Sequence, residues 1–136
     1  MYQYWGKASE DSYHLLVYHC LDVAAVGKVW LEQSPAFLKR AASASGLTEN
    51  AFTEWYLFFL ALHDLGKFDN GFQNLRKDLL WKLQNKSGDY TYSPRHDQRG
   101  FEYWDNVAFD QIATAHFENV NATQLKNYFE IYIISY

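Results

Sequence analysis

The sequence predicts an all-α domain. Three observations carry this: apolar residues recur at three- and four-residue steps in successive segments, no stretch alternates with period two for long, and only 2 prolines interrupt 136 residues. One domain suits this length. A chain of this size buries roughly two-thirds of the surface it exposes when unfolded.

The first helix is expected from about Ser12 to Glu32. Leu15, His19, Val23, Val26 and Trp30 would share its apolar face, with Ser12 as N-cap. Pro35 opens a second, short helix to about Ser43, and the run SASG at 43–46 breaks it. Thr48 or Asn50 can cap a third helix carrying TEWYLFFLALHDLGK. That segment is apolar on nearly every side, as the buried centre of a helical domain would be, and Gly66 would stop it. A fourth helix spans about Asn70 to Asn85, with Phe72, Leu75, Leu79, Leu80 and Leu83 at helical spacing, and 85–94 is a loop. A fifth starts near Arg95 and passes Trp104, joined to or followed by a sixth through about Phe117. Asn121 and Gln124 have capping-box spacing for a last helix, whose end, EIYIISY, reads equally as a strand.

Composition narrows the function. Aromatics make up 19% of the chain, which provides buried area for a small core and suits half-wet partner surfaces. The net charge of -4 is unlike a basic nucleic-acid module, so nucleic-acid contact has to be local, metal-assisted or delegated to a partner. Cys20 is the single cysteine, so no internal disulfide forms, which fits a reducing cytoplasm. The N-terminus lacks the basic and apolar regions of a signal peptide, and the stretch Leu15 to Val26 is too short and polar to span a membrane. A Walker-type loop, a dinucleotide fingerprint and a cysteine cluster for zinc are all missing from the sequence.

Of the five histidines, His63 is the informative one, because Asp64 follows it at the end of the most apolar helix. An imidazole and a carboxylate side by side suit transition metals, and a carboxylate can bridge two cations that clamp a phosphodiester. A charged Asp in an apolar helix needs a partner or a metal. The bland alternative is a capped helix end with a satisfied His. Lys67, three residues on, can reach the same site and neutralise a phosphate oxygen. His19 sits on the first helix, with Asp22 nearly on the same side. It is either a hydrogen-bonded core histidine or a ligand held by an outer acceptor. His14, five residues earlier, points away from His19 and reads as surface or structural. His96 opens a helix and is either a helix-start residue or a ligand. His116 lies in an ordinary amphipathic segment. Arg95 and Arg99 flank His96 and can contact phosphate, although a solvated helix turn is the simpler reading. Cys20 and His19 are helix neighbours that do not face each other, which argues against a Cys–His nucleophile.

YWGK at 4–7, YHLLVYHCLDVAAVG at 13–27, FFLALHDLGKFDNGFQ at 58–73 and RHDQRGFEYW at 95–104 are four ordered segments. Together they resemble the N-terminal HD nuclease domain of the helicase-nuclease of type I CRISPR systems, in the I-E and I-F style, over about residues 2–105. The resemblance implies an HD-type helical bundle that binds one or two divalent transition ions (manganese, iron, cobalt, nickel or zinc) and cuts single-stranded DNA after recruitment by a surveillance complex. It implies metal ligands at His19, His63, Asp64 and His96, with Asp64 bridging and with Asp64 and Lys67 as catalytic residues.

The family pattern continues with an adjacent His-His pair and a distal Asp, which this sequence lacks, as it lacks helicase motifs. The expectation is therefore a single domain over 1–136 that is incomplete relative to the family, with an unassigned tail at 106–136. A partial first site (His19, His63, Asp64) would stand beside a two-residue remnant of the second (Asp64, His96). Two readings follow. One is a minimal or split nuclease, and the other is a non-enzymatic, anti-CRISPR-like mimic that binds the surveillance complex and blocks or regulates recruitment. A truncated product is a third, and the apolar tail is buried or makes a homodimer contact.

Overall fold

A computed structural model describes residues 2–108 of the chain, with side chains to 106. Among the described residues six helices dominate: α1 Leu16–Glu32, α2 Pro35–Ser45, α3 Glu49–Leu62, α4 Asn70–Gln73, α5 Lys77–Gln84 and α6 His96–Tyr103. Tight 3-10 turns occupy Leu65–Phe68 and Asn74–Arg76, and a π-helical turn follows α6 at Trp104–Ala108. The helical class expected from periodicity holds. Among the described residues the one sheet is a two-stranded antiparallel hairpin, β1 Trp5–Ala8 with β2 Tyr13–Leu15. The segments expected through Phe117 and from Asn121, the ambiguous EIYIISY and His116 lie outside the described residues.

The hairpin corrects the start of the first helix. Ser12 does not cap α1. Its N–H donates to Ser9 Oγ at 3.2 Å, and Ser9 N–H donates to Ser12 O at 2.8 Å, so the two serines close the hairpin turn. Leu16 N–H then bonds Tyr4 O at 2.8 Å, and only beyond that point are backbone groups free for a helix. The buried stripe of α1 is also displaced by one residue, to Leu16, Cys20, Gly27 and Leu31. Val26, expected inside, is 69% exposed, and Trp30 is exposed too. Apolar residues surround α1 on several sides, so spacing alone could not select the face that packs on α3.

Thr48 caps α3 through its Oγ1, which accepts from Ala51 N–H at 3.2 Å. Pro35 occupies the first turn of α2, and that helix ends at Gly46 with φ +69, where glycine is strain-free. Gly66 does not end α3. The helix stops at Leu62, and Gly66 lies inside the following 3-10 turn, where it meets α6.

The long fourth helix expected at 70–85 is split. Gln73, fully buried, ties the break to the N-terminal strand: its Oε1 accepts Trp5 N–H at 3.1 Å, and its Nε2 donates to Trp5 O at 2.9 Å and Lys67 O at 2.8 Å. Trp5 Nε1 donates to Gln73 O at 3.1 Å in return. A buried amide satisfied this fully fixes local geometry, because any shift would strand several polar groups in an apolar place. One core cluster lies behind it, where Trp5, Phe72 and Leu79 pack with Tyr13, Leu83 and Tyr92. A second joins Leu31, Ala42 and Phe52 between α1, α2 and α3. Trp104 is fully buried against Phe58 and Phe59. No helix among the described residues is long and apolar enough to cross a membrane.

Candidate metal centre

Asp64 is the organising residue. The end of α3 carries the chain inward, and the carboxylate is left 5% exposed. Its Oδ2 faces His19 Nε2 at 3.0 Å, His63 Nε2 at 3.1 Å and Lys67 Nζ at 2.6 Å, while Oδ1 lies 3.7 Å from His96 Nε2. Four elements thus converge on one side chain: α1 brings His19, the end of α3 His63, the 3-10 turn Lys67, and the first residue of α6 His96. The five residues singled out from sequence are brought together. His19, His63 and Asp64 offer ligand atoms all within 4.8 Å of one another.

The donor set fits a cation. None of the nitrogens around Oδ2 is aligned on it as a hydrogen bond, although the atom is buried. His63 Nδ1 lies 2.7 Å from Leu60 O, which can only accept, so Nδ1 carries the proton and a neutral His63 presents a bare Nε2 lone pair. A lone pair facing a carboxylate oxygen at 3.1 Å is unfavourable unless a proton or a metal lies between them. Two imidazoles and a carboxylate suit a transition metal in an open site.

The charges reinforce one another. Burial alone would raise the Asp64 carboxyl, but the contacts and charges of His63 and Lys67 outweigh it and hold the pKa at about 2. Burial acts to lower His63, and Asp64 overcomes it and raises this imidazole. In His19 and His96 burial prevails over the attraction of Asp64, and both are lowered, so neutral imidazole is the favoured form of each. Lys67 also donates to Gly6 O at 3.3 Å, and its ammonium stands 5.4 Å from the Phe72 ring centroid.

Other candidates fall elsewhere. Asp22 does not support His19, because it pairs with His14, whose Nε2 is 3.6 Å from Asp22 Oδ2. His14 was expected to point well away from His19, yet the two ring centroids are 6.3 Å apart. The reason is β2: a strand residue does not follow the helical rotation assumed for it. Arg95 pairs with Asp97, and Arg99 pairs with Glu102 and approaches Asp69, so neither arginine contacts Asp64. Tyr92, which contacts His96, was not singled out from sequence, because a tyrosine in a loop carries no periodic or motif signal.

Cys20 lies beside His19 in sequence but in the core, and burial pushes its thiol up from 9.0 to about 11. Alkylation by iodoacetamide at pH 8 is expected to be at least about 100-fold slower in the folded chain than in urea-unfolded chain, since the thiolate is scarce. Equal rates would mean that this face of α1 is open.

The family model described as "Cas3, HD domain" matches residues 5–130. The CRISPR-associated endonuclease/helicase Cas3 of Escherichia coli (strain K12) is 47% identical over 85 residues, covering 59% of this chain and 10% of that protein. The match thus spans about a tenth of the curated relative's length. No solved structure matches.

Proposed function

Because this chain belongs to the Cas3 HD-domain family, we propose that it is a metal-binding phosphodiesterase domain of type I CRISPR interference, acting on single-stranded DNA and recruited by a surveillance complex. The observation that carries the reading is the convergence of His19, His63, His96 and Lys67 on the buried Asp64 carboxylate. His19, His63 and Asp64 would hold a first divalent ion, and Asp64 with His96 would give two ligands toward a second. Manganese, iron, cobalt, nickel and zinc all suit this donor set. When bound, such an ion polarises a phosphoryl oxygen and lowers the pKa of water.

The protein's own groups then have definite tasks. Asp64 supplies the negative charge and the two oxygens that face both ligand sets. The Leu60 carbonyl holds the His63 proton on Nδ1, which leaves Nε2 as a donor atom. Lys67 bonds Gly6 O and its ammonium lies 2.6 Å from Asp64 Oδ2; with three N–H groups it could also donate to a phosphate oxygen, where it would neutralise charge developing in the transition state.

The sequence has no adjacent His-His pair to complete the second set, so cleavage by this chain alone is expected to be weak or absent. Elemental analysis of the purified chain, followed by a single-stranded DNA cleavage assay with manganese, cobalt or nickel, tests this. Near-stoichiometric metal, lost in a His63→Ala/Asp64→Ala variant, is the expected outcome. A folded wild type without metal would sink the metal reading. Strong cleavage abolished in the variant would overturn the incompleteness and make the chain a minimal nuclease.

Exposed Tyr18, Leu21, Val26, Val29, Trp30 and Phe37 on α1 and α2 favour a second role, docking to a partner such as the surveillance complex. In the non-enzymatic, anti-CRISPR-like reading, the chain competes with the complete nuclease for that complex. A pull-down showing no competition at micromolar concentration would count against it.

A further inference from the structure

The two imidazoles whose Nδ1 partners are defined are held differently. His63 Nδ1 faces a carbonyl, which fixes one tautomer. His96 Nδ1 faces a hydroxyl: Tyr92 Oη is 2.7 Å away, and the same oxygen accepts the His96 backbone N–H at 3.0 Å. A phenol has one proton to give and two lone pairs. With one lone pair taken by the backbone, Tyr92 can still either donate to Nδ1 or accept from it.

The other ring nitrogen decides which. His96 Nε2 lies 3.7 Å from Asp64 Oδ1. Against a bare carboxylate, a proton on Nε2 is favourable, and Tyr92 then donates to Nδ1. To act as a ligand, Nε2 needs its lone pair, so the proton must sit on Nδ1, and Tyr92 must accept it. A carbonyl could serve only the second state and an ammonium only the first. The hydroxyl serves both by rotating one O–H.

Tyr92 is also held in place. Its ring packs edge-to-face on Phe72 at 5.8 Å, Phe72 packs on His96 at 5.4 Å and stacks on Trp5 at 4.6 Å. Tyr92 is thus part of the core cluster that the hairpin strand closes.

We propose that Tyr92 is a positioning residue for His96, and that its hydroxyl carries the imidazole between the metal-free and the metal-ligating tautomer. The ligand role of His96 rests on the metal reading above; the hydrogen bond between Tyr92 Oη and His96 Nδ1 does not.

Tyr92→Phe keeps the packing ring and removes only the hydroxyl. The first measurement is the 15N shifts of the His96 ring nitrogens in metal-free protein and after addition of zinc. Wild type should show the proton on Nε2 without zinc and on Nδ1 with it, and in Tyr92→Phe the hydrogen-bond signature at Nδ1 should vanish in the metal-free protein. The second measurement is zinc affinity in a double-mutant cycle with His96→Asn. Tyr92→Phe should weaken zinc about 10- to 100-fold in the wild-type background and change nothing in the His96→Asn background. An equal loss in both backgrounds would mean that Tyr92 acts on the fold alone, and the proposal falls. It falls as well if the metal-free His96 shifts are the same in wild type and variant. Wild type that binds no zinc would overturn the metal reading and the ligand role of His96 with it, while the metal-free shifts would still decide whether Tyr92 positions His96 through Nδ1.

Discussion

Replacing Gly66 by alanine is expected to destabilise the chain by about 3 kcal/mol or more and to separate His96 from Asp64. A Cβ built on Gly66 would stand 1.7 Å from His96 O, 2.5 Å from Gly100 N and 2.7 Å from His96 C. All three are backbone atoms of α6, so no side chain can rotate away, and the first turn of the helix must retreat as a whole. His96 is the first residue of that turn, so the retreat moves its Nε2 directly. The fold here uses two glycines, 66 and 100, to bring a 3-10 turn and a helix close enough for residues 64 and 96 to meet. Urea unfolding of metal-free protein measures the stability loss. Gly46→Ala is the comparison, because Gly46 has φ +69 but open space around its Cβ. Only left-handed strain operates there, for a cost of about 1 kcal/mol. A Gly66 variant no worse than the Gly46 variant would show that α6 can slide without penalty, and the close contact would lose its importance.

The same contact shows where reading the sequence succeeds and fails. His63 and Asp64 are legible because adjacency along the chain is itself the chemical signal, and a carboxylate in FFLALHDLG is costly without a partner. His19 and His96 become legible through the ordered segments shared with a family, since a lone histidine on a helix states nothing about what faces it. Gly66 sat where a helix-stopping glycine is ordinarily found, and local spacing could not reveal that its role is contact with residues about thirty positions later. The hairpin was missed because Trp5–Ala8 and Tyr13–Leu15 are too short to show alternation. Its pairing hides Ser12 from the helix and brings His14 toward His19. Gln73 looked like one more helical residue, yet its amide splits the helix and anchors Trp5. Gly66 and Gln73 act through residues distant in sequence, the hairpin through strand pairing across a short turn, and periodicity encodes neither.

Asp64→Asn should remove the bound metal and, without metal, destabilise the fold by about 2 kcal/mol in a restricted pH range. The substitution preserves shape and removes charge. Metal loss follows because the first ligand set keeps two imidazoles but no anion to offset a divalent charge. The pH range follows from the signs. In the folded chain the Asp64 carboxyl sits at about 2, against 3.8 in the unfolded chain, so its contribution is complete above 3.8 and is lost as pH falls toward 2. That displacement corresponds to about 2 kcal/mol. His63 has the opposite sign. Its imidazole is raised above 6.5 by the same carboxylate, so its share is present below 6.5 and is lost as pH rises through the folded value. Wild type and variant should therefore differ most between pH 3.8 and 6.5, converge near pH 2, and draw closer again in alkaline solution. Urea unfolding in EDTA across that pH range provides the curve. Parallel curves down to pH 2 would mean that Asp64 carries no stabilising charge in the folded chain, and the convergence of three histidines and a lysine on it would then need another cause.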